Sequence, residues 1–334
     1  MKRVALIIVV LLQIAVLAYM AGNREWIVRT GATVLLRTAP VDPRDPMRGD
    51  YVALDYEIAR VPRALLRGTL AATNRVPRHT PVYAVLATNA AVAELAYLTS
   101  QRPASGVYLR GTVSDSWYDG VTVRYGIEAY FMQQGAALAL EQGRVQDGMQ
   151  VPLEMEVAVG ARGVPVIKRH HWAPLGIGVN VVPDPAQTNR HSTRRFTAVM
   201  LRIVNASATD VALVDLPGGR SFALRPASMW RENEYRWVYE DELPPAPQPS
   251  DVVVLAPGQV HTNTIMFSDP YWFVSDTKER REAKPLNDPD LTWRMYRLEY
   301  RAPDAAACAA LPRRALIWQG RLATRAFSAG GAVD

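Results

Sequence analysis

The first twenty-one residues constrain this chain most. Residues 4–21 read VALIIVVLLQIAVLAYMA, eighteen positions in which Gln13 is the one strongly polar side chain. Wound into a helix, such a run is about 27 Å long, close to the thickness of a bilayer's hydrocarbon layer. Lys2 and Arg3 precede it, and basic residues hold that end on the cytoplasmic side. Tyr19 and Trp26 flank the exit, where amphipathic rings prefer the membrane interface. A cleaved secretory signal is the rival reading, but its apolar stretch is normally shorter. Cleavage after Ala21 would also put Tyr19 where a small side chain is wanted. A retained, single-pass anchor with the body outside the cytoplasm is therefore expected, with membrane lipid as its first partner. No later stretch matches this run in length and apolarity.

Beyond residue 26 the patterning is that of strands. Val52, Leu54, Tyr56 and Ile58 alternate with Tyr51, Asp55 and Glu57. Val107, Leu109 and Val113 alternate with Tyr108, Arg110 and Thr112. Asp119-Gly120 then predicts a two-residue hairpin turn in which both positions take positive φ. The returning strand is expected to carry Val121, Val123, Tyr125, Ile127, Ala129 and Phe131 on one face. An Ala/Leu-rich stretch, 134–142, is the best helix candidate. Residues 151–159 resume the period of two, and a GARG turn leads into 164–168. Residues 171–194, rich in Pro, Gly and Asn, read as an irregular connection. After them, strands are predicted at 196–204, 211–216, 221–224, 252–255, 260–267 and 295–300.

The expected architecture is mainly β, with four parts. An anchor occupies 1–26, a β-rich domain with minor helix 27–170, a connecting segment 171–194, and an immunoglobulin-like β-sandwich 195–334.

Several chemistries are excluded by what the chain contains. Its single cysteine, Cys308, permits neither an intrachain disulfide nor a CxxC redox pair nor a multi-cysteine zinc site. The net charge of +6 is spread along the chain, with no recognition helix or zinc spacing, so nucleic acid is not an expected partner. His170, His171 and His191 have no third ligand fixed by spacing, and Asp42, Asp45, Asp50 and Asp55 match no calcium loop. No phosphate loop, dinucleotide fingerprint, HExxH or GxSxG occurs. No metal or cofactor is expected. The segment DPMRGDYVAL echoes signal peptidases, but the nucleophile's place holds Val41 and the first domain offers only Lys168 as a base.

Residues 49–56 read GDYVALDY, a full match to G-D-Y-x-x-L-x-Y, and YGIEAYF (125–131) and VPVIK (164–168) follow. With the N-terminal anchor, these resemble the GDYXXLXY family of bacterial membrane-anchored proteins over about residues 1–170. The resemblance implies a bacterial inner-membrane setting, a periplasmic body and a multi-pass membrane protein encoded nearby as partner. It implies no activity. The motif residues Gly49, Asp50, Tyr51, Leu54 and Tyr56 are candidates for a structural or partner-binding role. Trp230, Tyr235, Trp237, Tyr271 and Trp272 form the densest aromatic patches, either core filling or a ligand surface. A non-enzymatic accessory or binding protein is the leading expectation. The alternative is a periplasmic hydrolase or ligand-binding enzyme whose site is assembled from distant residues.

Overall fold

The computed structural model describes residues 2–39, 51–88, 91–117, 119–131, 145–146, 148–185, 196–227, 235–276 and 282–333. The chain divides into two compact units, 1–137 with 154–171 and 138–153 with 172–334. Both are mainly β, as the alternating pattern demands, and one apolar helix stands at the N-terminus.

That helix, α1 (Lys2–Thr30), extends past the apolar run. Side chains 6–26 are exposed, so no described part of the fold covers them. At its end Ile27 turns inward, 7% exposed, and packs on Ala158 and Val166. Gly31 then leads directly into β1 (Ala32–Ala39).

The first unit continues with β2 (Tyr51–Ala53), β3 (Asp55–Tyr56), β4 (Arg60–Pro62), β5 (Pro81–Ala87) and β6 (Glu94–Thr99). β7 (Tyr108–Trp117), β8 (Gly120–Arg124) and β9 (Ala129–Phe131) follow. After β10 (Val145–Gln146) and β11 (Met149–Gln150), which lie in the second unit, come β12 (Leu153–Val159) and β13 (Pro165–Trp172). A five-stranded sheet has the order β4-β8-β7-β5-β6, a four-stranded one β13-β12-β1-β3, and β2 pairs with β9. Leu36, Val82, Leu98, Leu109, Val113, Met155 and Val157 are fully buried within this unit.

The β7–β8 hairpin forms, but not with the expected turn. Trp117 pairs with Gly120, so Gly120 opens the return strand instead of sitting in the loop, and its φ is not positive. It is glycine for another reason. A Cβ there would lie 2.3 Å from the Val61 carbonyl oxygen of the neighbouring strand. The return strand also stops early. Gly126 has φ +82°, and the Glu128 carboxylate accepts hydrogen bonds from the amides of Tyr125 and Gly126. The face flips there, so that Val121, Val123, Tyr125 and Ile127 are buried but Ala129 and Phe131 are exposed. The helix expected at 134–142 lies outside the described residues.

The second unit adds β14 (Leu175–Pro183), β15 (Phe196–Asn205), β16 (Val211–Val214), β17 (Phe222–Pro226), β18 (Tyr235–Trp237) and β19 (Val252–Leu255). β20 (Val260–Met266), β21 (Val274–Asp276), β22 (Tyr296–Arg301) and β23 (Arg321–Ala323) complete it. The main sheet runs β10-β11-β14-β15-β20, and a second runs β17-β22-β23. Leu175, Ile177, Val199 and Leu201 from the first sheet share one core with Phe222, Leu224, Leu298 and Tyr300 from the second.

Six of its strands fall within about two residues of their predicted places. The short strands β10, β11, β18, β21 and β23 have no predicted counterpart, and neither does the long β14. The stretch expected as a connection is, through Pro183, a strand paired from Leu175↔Asn205 to Pro183↔Phe196. Its glycines hid it. A Cβ on Gly176 would meet the Val151 side chain at 2.9 Å, so close packing of neighbours requires the residue that looked like loop.

Candidate functional site

The eight-residue motif is built into the interior of the first unit. Gly49 and Asp50, and the side chain of Tyr51, lie outside what is described. Val52, Leu54, Tyr56 and Ile58 are each 6% exposed or less. They close onto the second family segment. Tyr51, Val52 and Ala53 pair with Phe131, Tyr130 and Ala129. The Leu54 amide donates to the Glu128 carbonyl at 2.7 Å. The Tyr56 hydroxyl donates to the Ile127 carbonyl at 3.0 Å, and the Tyr125 hydroxyl donates to the Ile58 carbonyl at 2.8 Å. Two buried phenols thus cross-brace the two segments. Burial first, then the nearby Glu128 charge, pushes both phenols far above their usual range, so they stay protonated donors. Leu54 and Tyr56 are part of the first unit's core.

The first unit's cleft is elsewhere. Strand alternation puts Glu154 and Glu156 on one face of β12, beside Thr33, Leu35 and Arg37 of β1. Leu35, Ala93, Glu154, Glu156, Thr33 and His171 are among the walls of a cavity of about 600 Å³. Arg37 and Glu154, both almost fully buried, pair at 2.6 Å. Glu156 receives Lys168 at 2.8 Å, Arg169 at 2.6 Å and His171 at 3.1 Å. These donors, Lys168 first and Arg169 and His171 after it, lower its pKa from 4.5 to about 2. The Lys168 ammonium also lies 3.4 Å from the Thr33 hydroxyl. His170 takes a different partner, the Tyr130 hydroxyl at 3.3 Å, so the two adjacent histidines diverge. Burial first, and then the His171 charge, holds the His170 pKa below its ordinary value. Among the described residues no group of three His, Cys, Asp or Glu side chains converges as a metal site would require.

These carboxylates were legible in principle. LEMEVAV (153–159) alternates, and equal steps outward from the Gly160–Val164 hydrogen bond bring Glu156 opposite Lys168. The apolar half of that pattern obscured the acidic half.

In the second unit the aromatic residues do assemble, but mostly as core. Trp237 and Trp272 stack with ring centroids 5.7 Å apart and are 8% and 0% exposed. The Trp272 indole donates to the Gly218 carbonyl at 3.2 Å, and that of Trp237 donates to the Tyr271 carbonyl. Burial removes both tryptophans from the expected ligand surface, because a stacked pair with satisfied N–H groups is most stable away from water. Trp230 is outside the described residues. Tyr271 stays half-buried at the rim, against Tyr239 at 4.8 Å and beneath Arg220. Tyr235 lies under the Arg294 guanidinium at 4.0 Å. Trp293, absent from the sequence reading, is 54% exposed beside the same arginine. A separate cluster joins His261 to Asp215 at 2.7 Å, with Asn263 donating to the other carboxylate oxygen at 2.7 Å.

The architecture defines a class: a strand-rich protein whose first domain is rooted without a linker in a helix long and apolar enough to cross a membrane. Within that class, residues 13–169 match the family model described as GDYXXLXY protein. This part of the chain is a GDYXXLXY domain, and the second unit extends beyond it. No curated protein and no solved structure matches the chain.

Proposed function

We propose that this protein is a single-pass accessory or binding protein of the bacterial inner membrane. Its N-terminus lies in the cytoplasm, and both β units face the periplasm. One observation carries the reading: α1 is apolar through Ala21 and exposed through residue 26, yet its last turn is part of the first unit's core through Ile27. An apolar helix with no cover in its own fold is at rest only in lipid or against another apolar helix. Continuity of helix and domain favours an anchor that is kept over a leader that is removed. Lys2 and Arg3 support the orientation. A multi-pass membrane protein is the proposed partner, on the strength of the family resemblance.

The cleft supports binding better than acid–base chemistry. Glu156 is ionised at every ordinary pH and is already engaged by the Lys168, Arg169 and His171 side chains, so it has no proton to give. Lys168 is engaged first as a donor to that carboxylate at 2.8 Å, with the Thr33 hydroxyl farther off at 3.4 Å. The cavity does lend weight to the alternative, a periplasmic hydrolase or ligand-binding enzyme. Hydrolysis of a peptide or ester by purified protein, abolished in His171→Ala, would favour that alternative.

Alkaline carbonate should leave the full chain in the membrane pellet, and protease added to spheroplasts should degrade its body. Release into the supernatant, or a protected body beside a protected cytoplasmic control, would refute the anchoring. Affinity purification in mild detergent should return a multi-pass protein; repeated recovery of the chain alone counts against the partner.

A further inference from the structure

The end of the first unit nearest the anchor carries a set of arginines at a height that the helix sets. Ile27 follows the last residue of the apolar run by six positions, about 9 Å along a helix. A headgroup layer is roughly 5–7 Å thick on each side of the bilayer. Ile27 therefore stands at the outer edge of the headgroups, with Arg24 among them and Trp26, 67% exposed, at the interface.

No flexible segment separates this point from the domain. The Gly31 amide donates to the Ile27 carbonyl at 2.8 Å. A Cβ on Gly31 would come within 2.6 Å of that oxygen and 2.8 Å of the Val159 oxygen. One on Gly160 would lie 3.0 Å from the Ile27 side chain. The turn after β12, residues 160–163, is thus pressed against the helix at headgroup level.

Arg102 is fastened across that turn. Its Nε donates to the Tyr108 hydroxyl at 2.7 Å and its Nη2 to the Ala161 carbonyl at 2.9 Å. Tyr108 itself donates to the Ala161 carbonyl at 3.1 Å. Arg162 projects from the turn, exposed. Among the described residues no carboxylate lies within ion-pair distance of Arg24, Arg102 or Arg162. The one acid of this helix end, Glu25, pairs with Arg29 at 2.7 Å. Guanidinium groups match phosphate oxygens in shape and charge.

We propose that Arg24, Arg102 and Arg162 form a docking surface for anionic phospholipid headgroups of the leaflet into which the anchor rises. The inference rests on the anchored reading above. It adds a lipid contact that sets the tilt of the first unit on the membrane. Because helix and domain are joined without a flexible segment, docking fixes the tilt of both together and with it the cleft's orientation to the bilayer.

The test uses the full chain in lipid nanodiscs, with a spin label on Ala161→Cys. Cys308 is buried, and the parent protein serves as its control. Discs of phosphatidylcholine alone are compared with discs that also contain phosphatidylglycerol, with nickel chelated to a few headgroups as the distance probe. Nickel should relax the label in both discs, which places the turn at headgroup level. The immobilised fraction should rise in the anionic discs. Each arginine at an anionic surface favours the docked state by about fivefold, so Arg102→Gln with Arg162→Gln should lower the docked ratio roughly 25-fold. Salt near 1 M should abolish the lipid dependence.

A label beyond reach of the nickel, indifference to lipid charge, or a lipid response unchanged in the double variant would each overturn the docking while leaving the anchor intact. Failure of the chain to co-float with vesicles would overturn both together.

Discussion

Replacing Glu156 by Gln keeps the side chain's shape and removes the charge on which Lys168, Arg169 and His171 converge. The structure sets the size of the effect. A carboxyl pKa drawn from 4.5 to about 2 corresponds to at most ~3 kcal/mol favouring the ionised folded state. Arg169 is two-thirds exposed and water screens its share, so about 1–2 kcal/mol is expected. For a unit of this size that lowers Tm by roughly 2–8 °C at pH 7. The pH dependence carries a definite sign. The folded pKa lies below the unfolded one, so the stabilisation is complete above about 4.5 and is lost as pH falls towards about 2. Thermal unfolding of wild type and Glu156→Gln, followed by circular dichroism in detergent, should therefore show a gap at pH 7 that narrows below about 4.5 and closes near 2. Equal Tm values at pH 7, or a gap that persists undiminished at the acid end, would refute the electrostatic account of this cleft.

Tyr56→Phe and Tyr125→Phe should each cost about 1–2 kcal/mol, because each strands a buried carbonyl that its hydroxyl now satisfies; urea titration reads this as a lower midpoint with an unchanged slope. Gly31→Ala should loosen the helix–sheet junction by roughly 1–3 kcal/mol, since its Cβ meets two backbone oxygens that cannot give way; limited proteolysis near residues 28–32 should quicken, and an unaltered pattern would deny that the junction is rigid. His170 is held neutral by burial, so its folded pKa lies below its ordinary value of 6.5 and stability should fall as pH drops through that value. His170→Gln should flatten that part of the profile.

The local pattern alone carried a good deal. A run of eighteen apolar residues needs no partner in the chain to be recognised, because its length matches lipid. Alternation marked Val52, Leu54, Tyr56 and Ile58 as an inward face, and they are buried. It also placed six strands of the second unit, where apolar side chains repeat every second residue and turns carry glycine. These signals lie within a few residues of one another, and a single strand or helix expresses them.

Tertiary structure decided the rest, wherever the cause lay in a neighbour distant in sequence. Gly120 is glycine because the Val61 carbonyl approaches it, and Gly176 because Val151 does; each imitates a turn signal when read alone. Trp237 and Trp272 became core instead of surface because they stack on each other from a strand and a 3-10 turn more than thirty residues apart. Glu156 acquired its depressed pKa from three donors on the opposite arm of a hairpin. Ile27 made an apolar helix part of a folded domain only by meeting Ala158 and Val166. Periodicity records which way a side chain faces; what it meets there depends on chain closure, which no local window contains.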